Sequence, residues 1–426
     1  MQRRYFLGLL GMLGLTCGSA TYGFSKLKIS KYWPDDSQFF NSCLDSELPE
    51  VLKNHEVVLS AFEDIDTTQV WDGHVHLLGL GDTDSGIWVN SRYRNPLSFK
   101  HYAQFQFYLN ASCSNKKETV DEGFVAQLKN LHWAPGSRFV LLAYDYTYNE
   151  QGERLPDKTA FYTPNHYAAK IHQQFPDTFE WFASIHPYRE DCVDALKKAI
   201  SDDARGVKWL PPAMGINPAS PLCDRFYQAL VYWDIPLMCH CGDEVAVHGT
   251  NMQAYGNPLA LRRALDQGVK VVIAHCASLG YADDLDKGEN APRVSNFDLF
   301  ARLMDEPRYE GLLFGDISAL PQINRIEYFE KIVTRSDWHS RLLYGSDYPL
   351  PGIIPLVSLN KLQEKHYITK EQAEILAQLR EHNSLLFDFV LKRLMQVQGQ
   401  RFSPTVFHTR SLWTGAKATS KNWPPV

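Results

Sequence analysis

The segment Trp71-Asp72-Gly73-His74-Val75-His76 lies in the first of a series of short apolar runs along the chain. Each run ends with a polar residue and is followed by a stretch of helical periodicity. Strands that alternate with helices indicate parallel βαβ units. Eight such units in series predict an α/β fold, a closed (β/α)8 TIM barrel of about 250 residues plus insertions. The predicted strands cover residues 69–76, 138–145, 179–186, 206–210, 235–240, 269–275, 312–317 and 341–347.

Two longer segments decorate the predicted barrel. Residues 77–117 are rich in Tyr, Phe and Ser and are too long for a simple connection, so they predict a lid over the strand ends. A helical segment from residue 370 to about 396 predicts a C-terminal helical extension. Helical periodicity also marks the connections between strands, at residues 165–174, 192–201, 221–233, 258–267, 297–304 and 325–335.

An open doubly wound sheet is the alternative fold for alternating strands and helices. Its usual mark is a glycine-rich phosphate loop after the first strand. Gly79-Leu80-Gly81 lies near that position but lacks the third glycine, and no helical pattern clearly follows it. The barrel is therefore the expected architecture.

The barrel is expected to occupy residues 66–397 of the 426-residue chain. Residues 21–65 are expected to form a leader that packs on the barrel, and residues 398–426 a C-terminal tail. Residues 1–20 predict an export signal, because a basic start precedes a short apolar stretch and a small-residue exit.

The basic start, Arg3-Arg4-Tyr5-Phe6-Leu7, resembles a twin-arginine export signal. The apolar stretch has about ten residues, whereas about 20 are needed to span a bilayer. We therefore expect an exported protein without a stable membrane span, located in the periplasm of a Gram-negative bacterium. An uncleaved anchor and lipidation at Cys17 are the alternatives.

Composition narrows the classes of partner. A net charge of -6 argues against nucleic acid as the main partner, since phosphate-binding domains usually have a basic face. A mean hydropathy of -0.31 excludes a multi-span membrane protein. We expect a small-molecule substrate, with a homodimer as the candidate assembly.

Eight cysteines without a CxxC pair are not a disulfide scaffold. Seven would remain after cleavage near Ala20, which predicts mainly free thiols.

Two histidines end the first predicted strand. Residues two apart in an extended strand point the same way, so His74 and His76 can both face the barrel axis. Neutral imidazole is a good ligand for zinc and similar divalent ions. A bare pair of this spacing is common, and alone it is more often two buried histidines that are satisfied by hydrogen bonds.

The other strand ends strengthen the interpretation as a metal site. His240, His275 and Asp347 end the fifth, sixth and eighth runs, and the carboxyl ends of barrel strands hold the active site. Burying so many polar side chains without partners would cost several kcal/mol, and a metal removes that cost. Asp316, at the end of the seventh run, is expected to orient a ligand histidine, and His186 is a further ligand candidate at the third.

Other polar residues near the strand ends allow several roles. Lys208 ends the fourth run and could bridge two metals as a carbamate, bind a substrate carboxylate as an ammonium, or form a structural ion pair. Asp243 and Glu244 follow the fifth strand, and His248 lies further along the same loop. One of the three could touch the substrate, although loop acids are usually solvated. The thiols of three cysteines beside the histidines are expected to point outward, away from the ligands: Cys239, Cys241 and Cys276.

Taken together and in this order, the motifs resemble the amidohydrolase superfamily, in particular its amidohydrolase-related branch. The resemblance covers about residues 68–395 and implies a metal-dependent TIM-barrel enzyme. The motifs that carry it are Asp72-Gly73-His74-Val75-His76, Gly206-Val207-Lys208-Trp209-Leu210-Pro211, Cys239-His240-Cys241-Gly242, Ala274-His275-Cys276 and Tyr344-Gly345-Ser346-Asp347-Tyr348-Pro349.

The resemblance implies roles for the predicted site residues. His74 and His76 would bind the first metal together with Asp347, and His240 and His275 would be the histidines of strands five and six. Asp347 would also exchange a proton with the attacking water or the substrate. The expected cofactor is one divalent ion, zinc, with a second ion if Lys208 is carboxylated.

The reaction stays open within this branch, which contains hydrolases of C–N and C–O bonds as well as non-oxidative decarboxylases. We expect hydrolysis of an amide, ester or lactone by a metal-activated water, with Asp347 as proton acceptor and His275 stabilising the oxyanion. The alternative is decarboxylation of an aromatic or unsaturated acid whose carboxylate Lys208 or a loop arginine holds. An inactive metal-binding barrel is the third option.

Overall fold

A computed structural model describes residues 38–114, 118–288 and 291–415, so the predicted export signal and Cys17 lie outside the described residues. All eight predicted strands are present, although each is shorter than predicted. They are β1 (Trp71–His76), β2 (Arg138–Leu142), β3 (Phe179–Phe182), β4 (Val207–Trp209), β5 (Leu237–His240), β6 (Val271–Ala274), β7 (Leu313–Asp316) and β8 (Leu342–Leu343).

The strands pair in parallel and in chain order. Within the barrel, one sheet contains β1, β2 and β3, and a second runs from β4 to β8. Two small antiparallel sheets lie outside it, one formed by Trp88–Val89 and Phe161–Tyr162, and one by Tyr281–Asp283 and Arg293–Ser295. Parallel bridges join the two barrel sheets at both edges, from Ala183 to Val207 and from Val75 to Tyr348. The sheets therefore close into the predicted (β/α)8 barrel, and the carboxyl ends of all eight strands lie at one mouth.

Helices follow the strands as predicted. In the part of the chain that the structure describes, no helix is long and apolar enough to cross a membrane. In the barrel they are Asn165–Gln174, Cys192–Ser201, Pro211–Met214, Asp224–Trp233, Arg262–Asp266, Asn296–Met304 and Phe329–Val333. The insertion between β1 and β2 contains Ser91–Arg94, Phe99–Ala111 and Val120–Asn130. Before the barrel lie Glu50–Lys53 and Glu56–Ser60, and after it Leu359–Glu364, Lys370–His382, Ser384–Leu394 and Arg410–Trp413.

The predicted C-terminal helical segment is present but is broken into two helices, Lys370–His382 and Ser384–Leu394. The break lies at Asn383, which is in the extended region with φ -144°. Its side chain accepts from the Leu386 N–H and donates to the Leu131 carbonyl at 3.2 Å. A buried asparagine that caps the second helix therefore ends the first.

The barrel interior below the site is a separate apolar cluster. Trp413, from the helix Arg410–Trp413, enters it at the end where Trp71 begins β1. Thr409 fixes that helix, because its hydroxyl accepts from the Trp71 N–H at 3.1 Å. The C-terminal helix thus closes the mouth opposite the strand carboxyl ends. The buried cluster comprises Trp71, Val140, Leu142, Phe182, Met238, Val272, Leu343 and Trp413.

The insertion after β1 forms the predicted lid, with the helix Phe99–Ala111 over the strand ends. It rests on the loop after β5. The Tyr108 hydroxyl donates to the Ala246 carbonyl at 2.8 Å, and Gln104 donates to the Val245 carbonyl at 3.0 Å. Side chains of the lid therefore bind backbone carbonyl groups of a barrel loop near the site.

A disulfide joins Cys43 to Cys113, 70 residues apart, and attaches the leader to the end of the lid helix. This pair differs from the expectation of mainly free thiols, because no local spacing marks two cysteines so far apart. The expectation is confirmed for five buried free cysteines: Cys192, Cys223, Cys239, Cys241 and Cys276.

Removing this disulfide is expected to destabilise the protein. The double variant Cys43→Ser/Cys113→Ser should lose about 2–4 kcal/mol of unfolding free energy, since the bridge restricts the unfolded chain. Urea denaturation monitored by circular dichroism measures the loss. Reducing agent should shift the wild-type midpoint but leave the double variant unchanged, and an equal shift in both would contradict the assignment.

Candidate active site

One cavity of about 710 Å³ opens at the carboxyl ends of the strands, beneath the lid. Its walls are mostly apolar, and its floor is polar. The cavity brings together all six residues that the sequence places in the site: His74, His76, Lys208, His240, His275 and Asp347.

The two histidines of β1 face the same cavity, as the alternation of strand side chains predicts. His74 is fully buried, whereas the side chain of His76 is 26% exposed. The His74 Nδ1 lies 2.7 Å from Asp316 Oδ2, and the His76 Nε2 lies 3.1 Å from Asp347 Oδ1. The Nε2 of each ring is therefore the atom directed at the site.

Asp316 is the main support of the site, as expected for a residue that orients a ligand histidine. Besides holding His74, it accepts from the His275 N–H at 2.8 Å and from the Ser318 hydroxyl and N–H. Ser318 Oγ in turn lies 2.7 Å from His275 Nδ1. One carboxylate thus fixes the position of both rings.

These contacts also define the protonation of the two rings. Burial alone would raise the pKa of Asp316, but the neighbouring His74 outweighs it and holds that pKa well below its usual range. An ionised carboxylate only accepts, so His74 Nδ1 must carry the proton. The Ser318 hydroxyl donates its single proton to Asp316, so it must accept a hydrogen bond from the Nδ1–H of His275. Each ring therefore presents an unprotonated Nε2 to the cavity.

The backbone is unusual where the site residues stand. His275, Cys276 and Ala277 have consecutive positive φ values of 56°, 49° and 49°, and Asp347 has φ 62°. Such conformations are costly for residues with a side chain and persist only where neighbours enforce them. The sharp turns carry the strand-end side chains from the β6 and β8 termini into the cavity.

The turn after β8 lies tightly against β1. A Cβ atom on Gly345 would lie 2.8 Å from the His74 Cβ, so only glycine fits there. The Asp72 carboxylate accepts from the Ser346 N–H at 2.8 Å, and Lys392 donates to the Gly345 carbonyl at 2.7 Å. These contacts set the position of Asp347.

Asp347 lies at the centre of the cluster. Its Oδ1 is 3.4 Å from His74 Nε2, and its Oδ2 is 3.8 Å from His275 Nε2. The potential ligand atoms of these three residues all lie within 4.8 Å of one another. Burial favours the neutral acid, but the nearby histidines His74 and His76 prevail and hold the pKa of Asp347 well below its usual range. The carboxylate is therefore ionised.

His240 completes the group from β5. Its Nε2 is buried and makes no hydrogen bond, although Glu244 Oε2 lies 3.4 Å away. Burial lowers the pKa of His240 well below its ordinary value, with Lys208 and Arg325 adding to the effect, and burial likewise lowers the pKa of His275. Both imidazoles are therefore neutral and able to act as ligands.

Lys208 is buried beside the cluster. Its Nζ lies 3.2 Å from His74 Nε2, and burial lowers its pKa. The structure thus places Lys208 in the cavity, where the sequence predicts it. Cys239, Cys241 and Cys276 belong to the apolar core around the barrel, which confirms that these thiols point away from the ligands.

The sequence predicts His186 as a ligand candidate because it ends the third run, but the residue does not line the cavity. It lies four residues beyond the end of β3, and its Nε2 is 3.2 Å from the Met214 carbonyl. Burial lowers its pKa to about 3, so it is a neutral core histidine. The run continues past the strand, and the prediction of a ligand at its end is wrong.

Two polar residues of the cavity do not follow from the strand pattern. Glu244 is buried, not solvated, and its carboxylate accepts from the N–H groups of Ala246 and Val247 at 2.6 and 2.7 Å. Arg325 is buried in the loop after β7 and lines the same cavity. The sequence singles out Glu244 by its position after β5 but expects it to be solvated, and the same signal, a position in the loop directly after β7, could have identified Arg325.

Glu244 predicts a pH dependence of stability in the metal-free protein. Burial raises its pKa from 4.5 to about 7. Between these values the unfolded chain releases a proton that the folded chain retains, so stability falls as pH rises. The loss is on the order of 3 kcal/mol from pH 4.5 to pH 7.

Chemical denaturation of chelator-treated Glu244→Gln across this pH range measures the effect. The variant should lose that part of the pH dependence, because glutamine does not titrate. Glu374→Gln is the matched control, since the Glu374 side chain is 63% exposed. Identical pH profiles for the wild type and Glu244→Gln would contradict the assignment.

The chain is similar to several solved structures. Solved structures that resemble the chain include an uncharacterised TIM-barrel protein from Bordetella bronchiseptica, with 15% identity, a TM-score of 0.46 and coverage of 72% of this chain and 90% of that one. A probable 2-pyrone-4,6-dicarboxylic acid hydrolase from Acinetobacter baumannii has 14% identity, a TM-score of 0.38 and coverage of 78% and 97%. A 2,6-dihydroxybenzoate decarboxylase from Rhizobium has 12% identity, a TM-score of 0.38 and coverage of 73% and 97%.

The sequence comparison is more specific. No curated protein matches the chain significantly. A family model described as amidohydrolase matches residues 147–383, which is more than half of the chain. The chain therefore belongs to the amidohydrolase family.

Proposed function

We propose that this protein is a metal-dependent hydrolase that cleaves an amide, ester or lactone bond of a small molecule. The observation that carries the proposal is the convergence of four strand-end histidines and Asp347 in one cavity. Core packing does not explain this convergence, because buried polar groups need partners.

The residues present fit a divalent cation. His74 and His275 each present an unprotonated Nε2 to an ionised carboxylate, at 3.4 and 3.8 Å from Asp347. His240 adds a buried Nε2 without a hydrogen-bond partner. The lone pairs of these nitrogen and carboxylate oxygen atoms face one another and repel. A cation bound among them would remove the repulsion.

Zinc is the proposed ion, because neutral imidazole and carboxylate are among its usual ligands. His74, His76, His240, His275 and Asp347 would supply the ligands. We favour one ion, since among the described residues the close group of ligand atoms is the one formed by His74, His275 and Asp347. A second ion would require carboxylation of Lys208.

A bound divalent ion would lower the pKa of water and polarise the substrate carbonyl. In this proposal Asp347 accepts the proton of the attacking water and later passes it to the leaving group. Lys208 donates a hydrogen bond to the carbonyl oxygen from its buried position beside His74. His275, with its Nδ1 proton held by Ser318, serves as a ligand through Nε2. The apolar walls exclude bulk water.

Metal titration of chelated protein tests the proposal. The protein is assayed on a panel of esters, lactones and amides while Zn²⁺ or Mn²⁺ is added back, with release of carbon dioxide from aromatic acids measured in parallel. Hydrolysis that rises with metal up to about one equivalent is expected. Activity that no metal changes would contradict the proposal, and carbon dioxide release without hydrolysis would favour the decarboxylase.

We also propose that the protein is exported through the twin-arginine pathway to the periplasm. The Cys43–Cys113 disulfide supports this location, since disulfides persist mainly in oxidising compartments. The pathway carries folded proteins, so a metal could be acquired before export.

A further inference from the structure

The cavity contains a cation that the proposed chemistry does not use. Arg325 lies in the loop after β7 and is only 5% exposed. Its Nε is buried and makes no hydrogen bond, while its Nη1 donates to Ser278 Oγ at 3.3 Å. Among the described residues, no carboxylate forms an ion pair with this guanidinium, whereas Arg189 and Arg205 form ion pairs at 2.9 and 2.7 Å.

A buried guanidinium without a carboxylate in contact is costly, because its charge loses water without gaining a direct partner. The nearest acids influence its charge but are held by other groups. Glu244 directs its carboxylate to the N–H groups of Ala246 and Val247, and Asp347 directs its oxygens to the cavity histidines. The free edge of Arg325 is thus an anion site that the described part of the chain leaves unfilled.

The loop around Arg325 is polar on its cavity side. Gln322 and Asn324 line the cavity beside it, and the Asn324 Oδ1 is buried without a hydrogen-bond partner. The guanidinium is also close to the proposed metal ligands. Ser278, its hydrogen-bond acceptor, donates to the His275 carbonyl at 2.6 Å. An anion at Arg325 would therefore lie in the same cavity as the reacting bond.

The remaining walls predict the rest of the ligand. A cavity of about 710 Å³ accommodates a drug-sized molecule. Its sides come from the lid, from the connection after β2 and from the loop after β8. The apolar residues that line it include Phe107, Tyr108, Phe161, Leu350, Ile353 and Leu356. A mostly apolar molecule with one anionic group fits this distribution of polarity.

We propose that the substrate is a mostly apolar carboxylic acid and that Arg325 binds its carboxylate. This inference rests on the proposed function, in that the bond to be cleaved belongs to the same molecule. Carboxylate is the chosen anion because the planar guanidinium matches its two oxygens and the cavity offers apolar contact to the attached carbon body.

A binding experiment that does not depend on turnover tests the proposal. Isothermal titration calorimetry on the zinc-loaded protein compares 6-phenylhexanoate with its neutral amide, 6-phenylhexanamide. The wild type should bind the acid more tightly. In Arg325→Met the affinity for the acid should fall about 10- to 100-fold, the expected loss for a hydrogen-bonded charge. Arg325→Lys should retain part of that affinity, which would also show that the buried position tolerates substitution.

Lys100→Met is the matched control, because Lys100 is an exposed cation that lines the same cavity. This variant should keep the preference for the acid. If Lys100→Met removes the preference and Arg325→Met does not, the carboxylate binds Lys100 and the assignment to Arg325 is overturned. Equal binding of acid and amide by the wild type would overturn the proposal. Failure of the hydrolase assay with a preserved, Arg325-dependent preference for the acid would instead reject hydrolysis alone.

Discussion

Replacing Asp347 by asparagine is expected to lower kcat by about 10²–10⁴-fold, the usual contribution of a general acid–base group. The substitution preserves shape and removes the charge. Asp347 is the one acid that lies within 4 Å of three cavity histidines, His74, His76 and His275, among the described residues. Its low pKa keeps it ionised, and hence able to accept a proton, across the physiological range.

The metal content of Asp347→Asn must be measured in the same sample, because the proposal makes Asp347 both a ligand and a proton acceptor. A variant that retains metal and loses activity would isolate the proton-transfer role. Asp337→Asn is the matched control, since the Asp337 side chain is 61% exposed and pairs with Arg335. Wild-type kcat in metal-loaded Asp347→Asn would contradict the assigned role.

Replacing His240 by alanine is expected to weaken zinc binding by more than about 100-fold. Loss of an outer partner of a ligand already costs about 10–100-fold, and His240 is a proposed ligand itself. A 100-fold loss removes about 2.7 kcal/mol of the stabilisation that saturating zinc gives the folded protein. Competition with a chromogenic chelator measures the affinity, and thermal denaturation with and without zinc measures the stabilisation.

His186→Ala is the matched control for His240→Ala, because both residues are buried neutral histidines near strand ends. His186 has a hydrogen-bond contact with Met214, whereas His240 Nε2 has none. His186→Ala should therefore lose stability with and without zinc and keep its zinc affinity. Equal zinc affinity in His240→Ala and the wild type would show that His240 is only a core residue.

The barrel and the positions of the candidate ligands follow from the sequence because both depend on short-range periodicity. The period of two in β1 directs His74 and His76 to one side, and the fifth, sixth and eighth runs end at the other candidate ligands. His186 shows the limit of this reasoning. The third run continues beyond its strand, so the residue at its end lies outside the cavity.

Features that depend on contacts between distant segments do not follow from the sequence. The Cys43–Cys113 disulfide joins residues 70 apart, and the break at Asn383 depends on its contact with Leu131. Arg325 and Glu244 belong to loops whose conformation no repeat specifies. Their burial becomes visible only when the loops after β5 and β7 fold over the strand ends.

Anomalous diffraction at the zinc absorption edge, from crystals of the protein loaded with one equivalent of Zn²⁺, tests the central claim most directly. The account predicts one strong anomalous peak in the cavity, at bonding distance from nitrogen atoms of the strand-end histidines and from the Asp347 carboxylate. A peak bound elsewhere, or no peak in the cavity at full zinc loading, would contradict the assignment of this cluster as a metal centre.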